Sequence, residues 1–239
     1  WMSGFSGSAG ELVVTRTGAA LWTDGRYFLQ AEEQLEGSGI ELCRMGQPGV
    51  PTVEAFLCDA LRKGQSVGLD PRTVSVARAS GIERAVGEKK AALLPLEDNL
   101  VDRVWAAQPP MPSAPLSALG PKFCGEKIAS KLKRIRAAMT ASGASSHVVT
   151  TLDAIAWLFN IRGRDVDFNP VAIAYAIVTQ TTATLYVEPS KVTPAVRRQF
   201  GLDVNTADYA DFGSALTKLS VARGVVWLDG ATTSRWVVD

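Results

Sequence analysis

The sequence predicts an α/β protein built from two tandem, related domains, each a mixed sheet flanked by helices. Three observations predict it. A proline-rich stretch, Gln108-Pro109-Pro110-Met111-Pro112-Ser113-Ala114-Pro115, divides the chain. On each side a hairpin pattern is followed by helix and strand patterns in the same order. Each series ends in a short apolar run leading into aspartate, at Leu69-Asp70 and Leu228-Asp229. Trp22 and Tyr186 occupy matching places near the end of each hairpin's second strand. Leu69 follows Trp22 by 47 positions and Leu228 follows Tyr186 by 42, which reads as an internal duplication of one α/β unit.

In the first domain, residues 1–107, Glu11 to Thr15 and Ala19 to Thr23 form a hairpin around Thr17-Gly18. Arg26 to Leu35 and Thr52 to Arg62 read as helices, and Val67 to Leu69 as a strand. Residues 108–115 are the connector, because four prolines in eight residues continue neither a helix nor a central strand. In the second domain, residues 116–239, Ile128, Leu132, Ile135 and Met139 mark an amphipathic helix over Glu126 to Ser142, stopped by Gly143. His147 to Thr150 is a short strand, and Thr151 or Asp153 caps a helix over Ala154 to Phe159. Ala172 to Thr179 and Thr182 to Glu188 form the second hairpin. Thr193 to Phe200 and Asp211 to Ala222 are helical, and Val225 to Leu228 is a strand. By the logic of the duplication, about one helix and one strand of the first domain are expected ahead of Trp1. The apolar last residues, Trp236-Val237-Val238-Asp239, read as the middle of an element, so the chain is expected to be part of a larger protein.

Composition narrows the function. Hydrophobic residues make up 46% and charged residues 21% of the 239, so neither a disordered nor a collagen-like chain is indicated. The longest apolar run, Val171 to Val178, is far short of a membrane span of ~20 residues. With 25 Lys and Arg against 24 Asp and Glu, nucleic-acid binding loses its simplest support. Cys43, Cys58 and Cys124 are odd in number and lack metal-ligand spacing, which points to a reducing compartment. A Ser/His/Asp triad would have to use the one histidine, His147, which lies on a predicted buried strand and reads as structural.

Two segments carry candidate chemistry. Gly4-Phe5-Ser6-Gly7-Ser8-Ala9-Gly10 precedes a strand, whereas a phosphate cradle follows one, so it reads as a tight turn allowing close backbone approach. In Trp22-Thr23-Asp24-Gly25-Arg26-Tyr27, Asp24 is expected to cap the following helix and Arg26 to sit in its first turn. A cation there opposes the helix dipole, so Arg26 is either held in a local salt bridge with Asp24 or Glu32, the plainer reading, or is a clamp for a carboxylate or carbonyl. Asp24, Asp70, Asp153 and Asp229 could form a metal-dependent nuclease centre only by converging, and each has a ready capping or turn role. The basic residues of the helix over Glu126 to Ser142 read as a solvated face.

These residues resemble a known family. Ser3 to Gly10, Ala20-Leu21-Trp22-Thr23-Asp24-Gly25-Arg26-Tyr27-Phe28-Leu29-Gln30-Ala31, Val67-Gly68-Leu69-Asp70-Pro71 and Asn99-Leu100-Val101-Asp102 resemble eukaryotic-type X-prolyl aminopeptidase (aminopeptidase P). Leu152 to Gly163, Asn169-Pro170-Val171 and Ala174-Tyr175-Ala176-Ile177 continue the match in order, over essentially the whole chain. The resemblance implies two creatinase N-terminal-type domains, the first truncated at its N-terminus, ahead of a metallopeptidase domain of the "pita-bread" fold. It implies a dinuclear centre, usually manganese, held by two Asp, one His and two Glu in that further domain. One histidine cannot supply that site together with the family's further catalytic histidines, so no catalytic residue and no metal ligand is assigned within this chain. It implies that Arg26 contacts substrate, which reverses the plainer reading above. The implied setting is a cytoplasmic homodimer acting on short Xaa-Pro peptides, with no nucleic-acid or membrane partner. The alternative is a non-enzymatic creatinase-like module that binds peptides or histones. Creatine or dipeptide hydrolysis is a lesser variant within the same superfamily.

Overall fold

A computed structural model describes residues 1–239. The chain forms two compact units, Trp1–Gln108 and Pro109–Asp239.

The first unit runs β1 (Glu11–Val14), β2 (Ala19–Thr23), α1 (Phe28–Leu35), β3 (Ile40–Arg44), α2 (Val53–Ala60), β4 (Ser66–Leu69), α3 (Val76–Glu88) and β5 (Ala92–Pro95). β1 and β2 are antiparallel, with Leu12 opposite Leu21, and β2 and β3 are parallel, with Trp22 opposite Cys43. β4 and β5 form a separate parallel pair. Alternation along β2 sends Trp22 to one face and Leu21 to the other. Trp22 packs with Val53 and Leu57 of α2 and Ile82 and Val86 of α3, and its indole donates to the Pro51 carbonyl at 2.8 Å. Leu21 packs with Ala31 and Leu35 of α1 and with the half-buried Phe5. Cys43 is buried on β3, and burial, then the Glu41 charge, pushes its thiol pKa up.

The second unit runs β6 (Ser117–Ala118), α4 (Pro121–Cys124), α5 (Ile128–Ala141), β7 (Ser146–Val149), α6 (Leu152–Leu158), β8 (Ile161–Arg162), β9 (Tyr175–Thr179), β10 (Ala183–Tyr186), α7 (Pro194–Phe200), β11 (Asn205–Ala207), α8 (Phe212–Val221) and β12 (Val226–Trp227). Its sheet is ordered β11-β10-β9-β7-β12. The β9–β10 and β7–β9 pairs are antiparallel, whereas β10–β11 and β7–β12 are parallel. Ala176, Val178 and Leu185 face the larger core with Leu132, Met139, Ile155 and Phe200. Ile177 and Tyr186 face the other core, beneath Phe212 of α8. Covering both faces explains the almost continuous apolar run along β9.

Several elements differ from the sequence reading. The helix expected from Arg26 begins at Phe28, and Tyr27, not Asp24, is its N-cap residue. The strand expected from Ala172 begins at Tyr175. Thr151 occupies the N-cap position of α6 without a side-chain cap bond, and the Asp153 carboxylate accepts from the adjacent Ala154 N–H at 2.9 Å. β3, α3, β5, β6, α4, β8 and β11 are not among the elements expected from the sequence. Each is short or carries polar residues through its apolar period: β3 reads Ile-Glu-Leu-Cys-Arg, and α3 is interrupted by Gly81 and Gly87.

Candidate functional site

Thr23 ends β2, and the chain turns there because the Tyr27 N–H donates to the Asp24 carbonyl at 3.0 Å. The Asp24 carboxylate folds over this turn. Its Oδ1 accepts from the Arg26 backbone N–H at 3.1 Å and from Arg26 Nε at 2.8 Å, and its Oδ2 accepts from Nη2 at 2.7 Å. The short side chain of aspartate suits such a turn, since it can reach the N–H two residues on. Asp24 thus caps the turn rather than α1. Arg26 lies before the helix, and its guanidinium is paired with the nearest carboxylate.

The Arg26 hydrogen bonds hold the Asp24 pKa down at about 2, below the ordinary 3.8, and the same pair raises that of Arg26. The Arg26 side chain is 68% exposed and lies over the Tyr27 ring at 5.0 Å. A guanidinium carries five N–H donors. Asp24 engages one on Nε and one on Nη2, leaving the others for water or a ligand oxygen.

The glycine-rich segment forms the floor beside this turn. Gly4 has φ +72°, and a Cβ at Gly7 would run into the Phe5 ring, so the segment curls tightly on itself. Ser8 shares a 2.5 Å hydrogen bond with the Tyr27 hydroxyl. The Thr23 hydroxyl donates to the Ala9 carbonyl at 2.6 Å. Ser6 accepts from Gln30 and Gln34 of α1 at 3.0 and 2.9 Å. The two segments singled out in the sequence therefore form one surface: a fixed cation beside hydroxyl groups on a rigid loop. It can hold a carboxylate or carbonyl, and its one carboxylate, Asp24, is already engaged by Arg26.

The other candidates are occupied locally. The Asp70 Oδ1 accepts from the Arg72 N–H at 2.8 Å, and its Oδ2 accepts from Asn99 Nδ2 at 2.8 Å, which ties two of the motif segments together. Asp229 accepts from the Ala231 N–H at 3.0 Å and the Thr232 hydroxyl at 2.9 Å. No three His, Cys, Asp or Glu side chains converge as a metal site, so these residues do not fit a dinuclear centre. His147 is half-exposed on β7 rather than buried, with Nδ1 3.0 Å from the Trp227 carbonyl.

Two polar groups of the second unit escaped sequence reading. Lys131 is buried, not part of a solvated face. Its Nζ donates to the Trp157 carbonyl and to Asn160 Oδ1, both at 2.6 Å, and lies 4.2 Å from the Trp157 ring centroid. Burial lowers its pKa. The signal was in the spacing, since Lys131 follows Ile128 by three and precedes Ile135 by four. Lys191 and Asp165 form a fully buried ion pair at 2.6 Å, and the same Asp165 oxygen accepts from the Ile173 N–H at 2.7 Å. Their separation of 26 positions leaves no local sequence signal.

Comparison with known proteins agrees with the duplication. Residues 1–104 and 107–239 each match the creatinase/prolidase N-terminal domain. A probable Xaa-Pro aminopeptidase P of Coprinopsis cinerea is 40% identical over 220 residues, covering 92% of this chain and 35% of the relative. Aminopeptidase P1 of Lotus japonicus is 42% identical over 219 residues, covering 90% of this chain and 33% of the relative. The chain thus spans about a third of the length of these relatives. The crystal structure of an X-prolyl aminopeptidase from Caenorhabditis elegans, described as a cytosolic enzyme with a di-nuclear active site, matches 98% of this chain and 39% of its own, with a TM-score of 0.91 and 30% identity. The chain belongs to the creatinase/prolidase N-terminal domain family, which it contains twice in tandem.

Proposed function

We propose that these 239 residues are the non-catalytic N-terminal part of a metallo-aminopeptidase that removes the residue preceding proline from short Xaa-Pro peptides. The ordered similarity to aminopeptidase P relatives over nine-tenths of the chain carries this reading. A dinuclear centre, taken as two manganese ions, would be held by a further domain outside these residues and would there supply Lewis acidity toward water and the scissile carbonyl. The two present units shape access to that centre and contribute to packing of a homodimer in the cytosol. Arg26 supplies the substrate contact: pre-set by Asp24 and Tyr27, its remaining donors receive a peptide carbonyl or carboxylate.

The test uses the full-length protein, Xaa-Pro-Xaa peptides and added manganese. Chelator-sensitive release of the first residue is expected, with kcat/KM lowered on the order of tenfold or more in Arg26→Ala and partly restored in Arg26→Lys. Hydrolysis unaffected by Arg26→Ala would make the arginine a purely local partner of Asp24. Absence of hydrolysis, with peptide or histone binding intact, would favour the non-enzymatic module. The 239 residues alone are expected to hydrolyse none of these peptides. Chelator-sensitive turnover that tracks their purity would overturn that assignment.

A further inference from the structure

A guanidinium has two edges that take a carboxylate squarely, one formed by Nε and Nη2 and the other by Nη1 and Nη2. In Arg26 the first edge is filled. Asp24 Oδ1 accepts from Nε at 2.8 Å and Oδ2 from Nη2 at 2.7 Å. Oδ1 also accepts from the Arg26 backbone N–H at 3.1 Å, so the carboxylate is tied to the main chain as well as to the guanidinium. The same guanidinium lies 5.0 Å from the centroid of the Tyr27 ring, whose hydroxyl is held by Ser8 at 2.5 Å. The cation is therefore fixed, and the Nη1–Nη2 end is the edge left for a ligand.

Charge decides what that end reads. Asp24 and Arg26 together sum to zero. The polar groups fixed beside them, Ser6, Ser8, Tyr27 and Gln30, are neutral. Glu32, the other carboxylate within the sequence reach of Arg26, is taken by Arg44 at 3.1 Å. A ligand carboxylate docked at the end would meet the attraction of Arg26 and the repulsion of Asp24 on the neighbouring edge of the same group. It would give up its hydration for almost no net charge. Displacing Asp24 instead would break all of the hydrogen bonds that tie it to Arg26. A neutral carbonyl meets no such repulsion and is less costly to dehydrate, while the donors it finds remain charge-assisted.

We infer that Asp24 is a specificity-determining residue: by cancelling the charge of Arg26 it makes the site a reader of neutral peptide carbonyls, so the group bound there is a carbonyl within the peptide and not its terminal carboxylate. This rests on the substrate contact proposed for Arg26. Peptides that run on past the arginine are then taken as readily as those that end at it.

The test measures kcat/KM of the full-length protein, with added manganese, on Xaa-Pro peptides lengthened residue by residue beyond proline, each as the free acid and as the C-terminal amide. The acid-to-amide ratio is the readout, and Arg26→Ala supplies the ratio set by the rest of the protein. The unmodified protein is expected to stay within about twofold of that reference at every length. Asp24→Asn keeps an oxygen for the Arg26 N–H but removes the charge. It is expected to raise the ratio about fivefold at the length whose terminus reaches Arg26, as for one exposed ion pair. Adding Arg26→Ala to it should abolish the rise. Asp24→Ser, which also keeps an acceptor, replaces the asparagine variant if that variant folds poorly. A ratio that falls about fivefold from the unmodified protein to Arg26→Ala would overturn the inference, because Arg26 would then read a carboxylate despite its partner. So would Asp24 variants that lose kcat/KM on acids and amides alike, as a purely structural role requires. Unchanged kcat/KM on both forms in Arg26→Ala would remove the substrate contact itself, and the inference with it.

Discussion

The same sheet plan appears twice in this chain under unequal cover. In the second unit, β7 completes the sheet, and α5, α6 and α7 share the larger core beneath it. In the first, β1 and β4 lie in separate sheets and both line a cavity of about 860 Å³. The core beneath Leu21 has only Ala31 and Leu35 as its other buried members. Hairpin geometry survives this difference unchanged, down to the threonine that closes each turn: the Thr15 N–H donates to the Gly18 carbonyl and the Thr179 N–H to the Thr182 carbonyl, each at 2.8 Å. The local turn is set by nearby residues, whereas burial along a strand is set by its neighbours. The two turns that follow the hairpins have diverged in chemistry instead. One ends in Tyr27 beside an exposed Arg26, the other in the buried Lys191.

The sharpest way to break this comparison is at those equivalent turn positions. Lys191→Met leaves Asp165 as a buried carboxylate without its cation, and should destabilise the second unit by about 3–5 kcal/mol. Tyr27→Phe removes one hydrogen bond, to Ser8, and should cost about 1 kcal/mol. Denaturant unfolding of each variant measures both, and equal costs would mean the two turns are energetically alike. Next in size is Gly163→Ala, whose Cβ would lie 2.6 Å from the Val171 carbonyl oxygen. A loss of about 1–3 kcal/mol is expected. Gly18→Ala at the first hairpin meets nothing within 4 Å and should change thermal stability little.

Thr15→Ala and Thr179→Ala sharpen the comparison from the other side. Both remove the same hydroxyl acceptor from the same turn, and about 0.5–1 kcal/mol is expected from each. A much larger loss at Thr179 would show that the better-covered sheet amplifies a turn defect. The smallest effect is electrostatic. Because the folded pKa of Asp24 is depressed to about 2, its favourable contribution is present above the ordinary value of 3.8 and is lost as pH falls toward 2. NMR titration of its carboxyl should show that midpoint, and Arg26→Ala should return it toward 3.8.

Both hairpins and the duplication were legible because period-two alternation and glycine act locally. The Asp24 pairing was among the alternatives that the sequence left open. What stayed hidden depends on distance in the chain. The start of α1 shifted by two residues because Asp24 found Arg26 before it could find a helix N–H. Lys131 reads as one of many cations until α6 places the Trp157 ring and carbonyl around it. Asp165 and Lys191 meet only after the intervening hairpin brings them together.

Cys43 gives the less covered unit an internal clock. A thiol-directed reagent reacts with the thiolate, and this sulfur is both shielded on β3 and held toward its protonated form. Labelling therefore requires the sheet to part. When reclosing outpaces modification, the labelling rate is the product of the open population and the rate for a free thiol. The half-buried Cys124 offers a comparison thiol from the other unit on the same molecule. The ratio of the two modification rates follows how often the first sheet breathes.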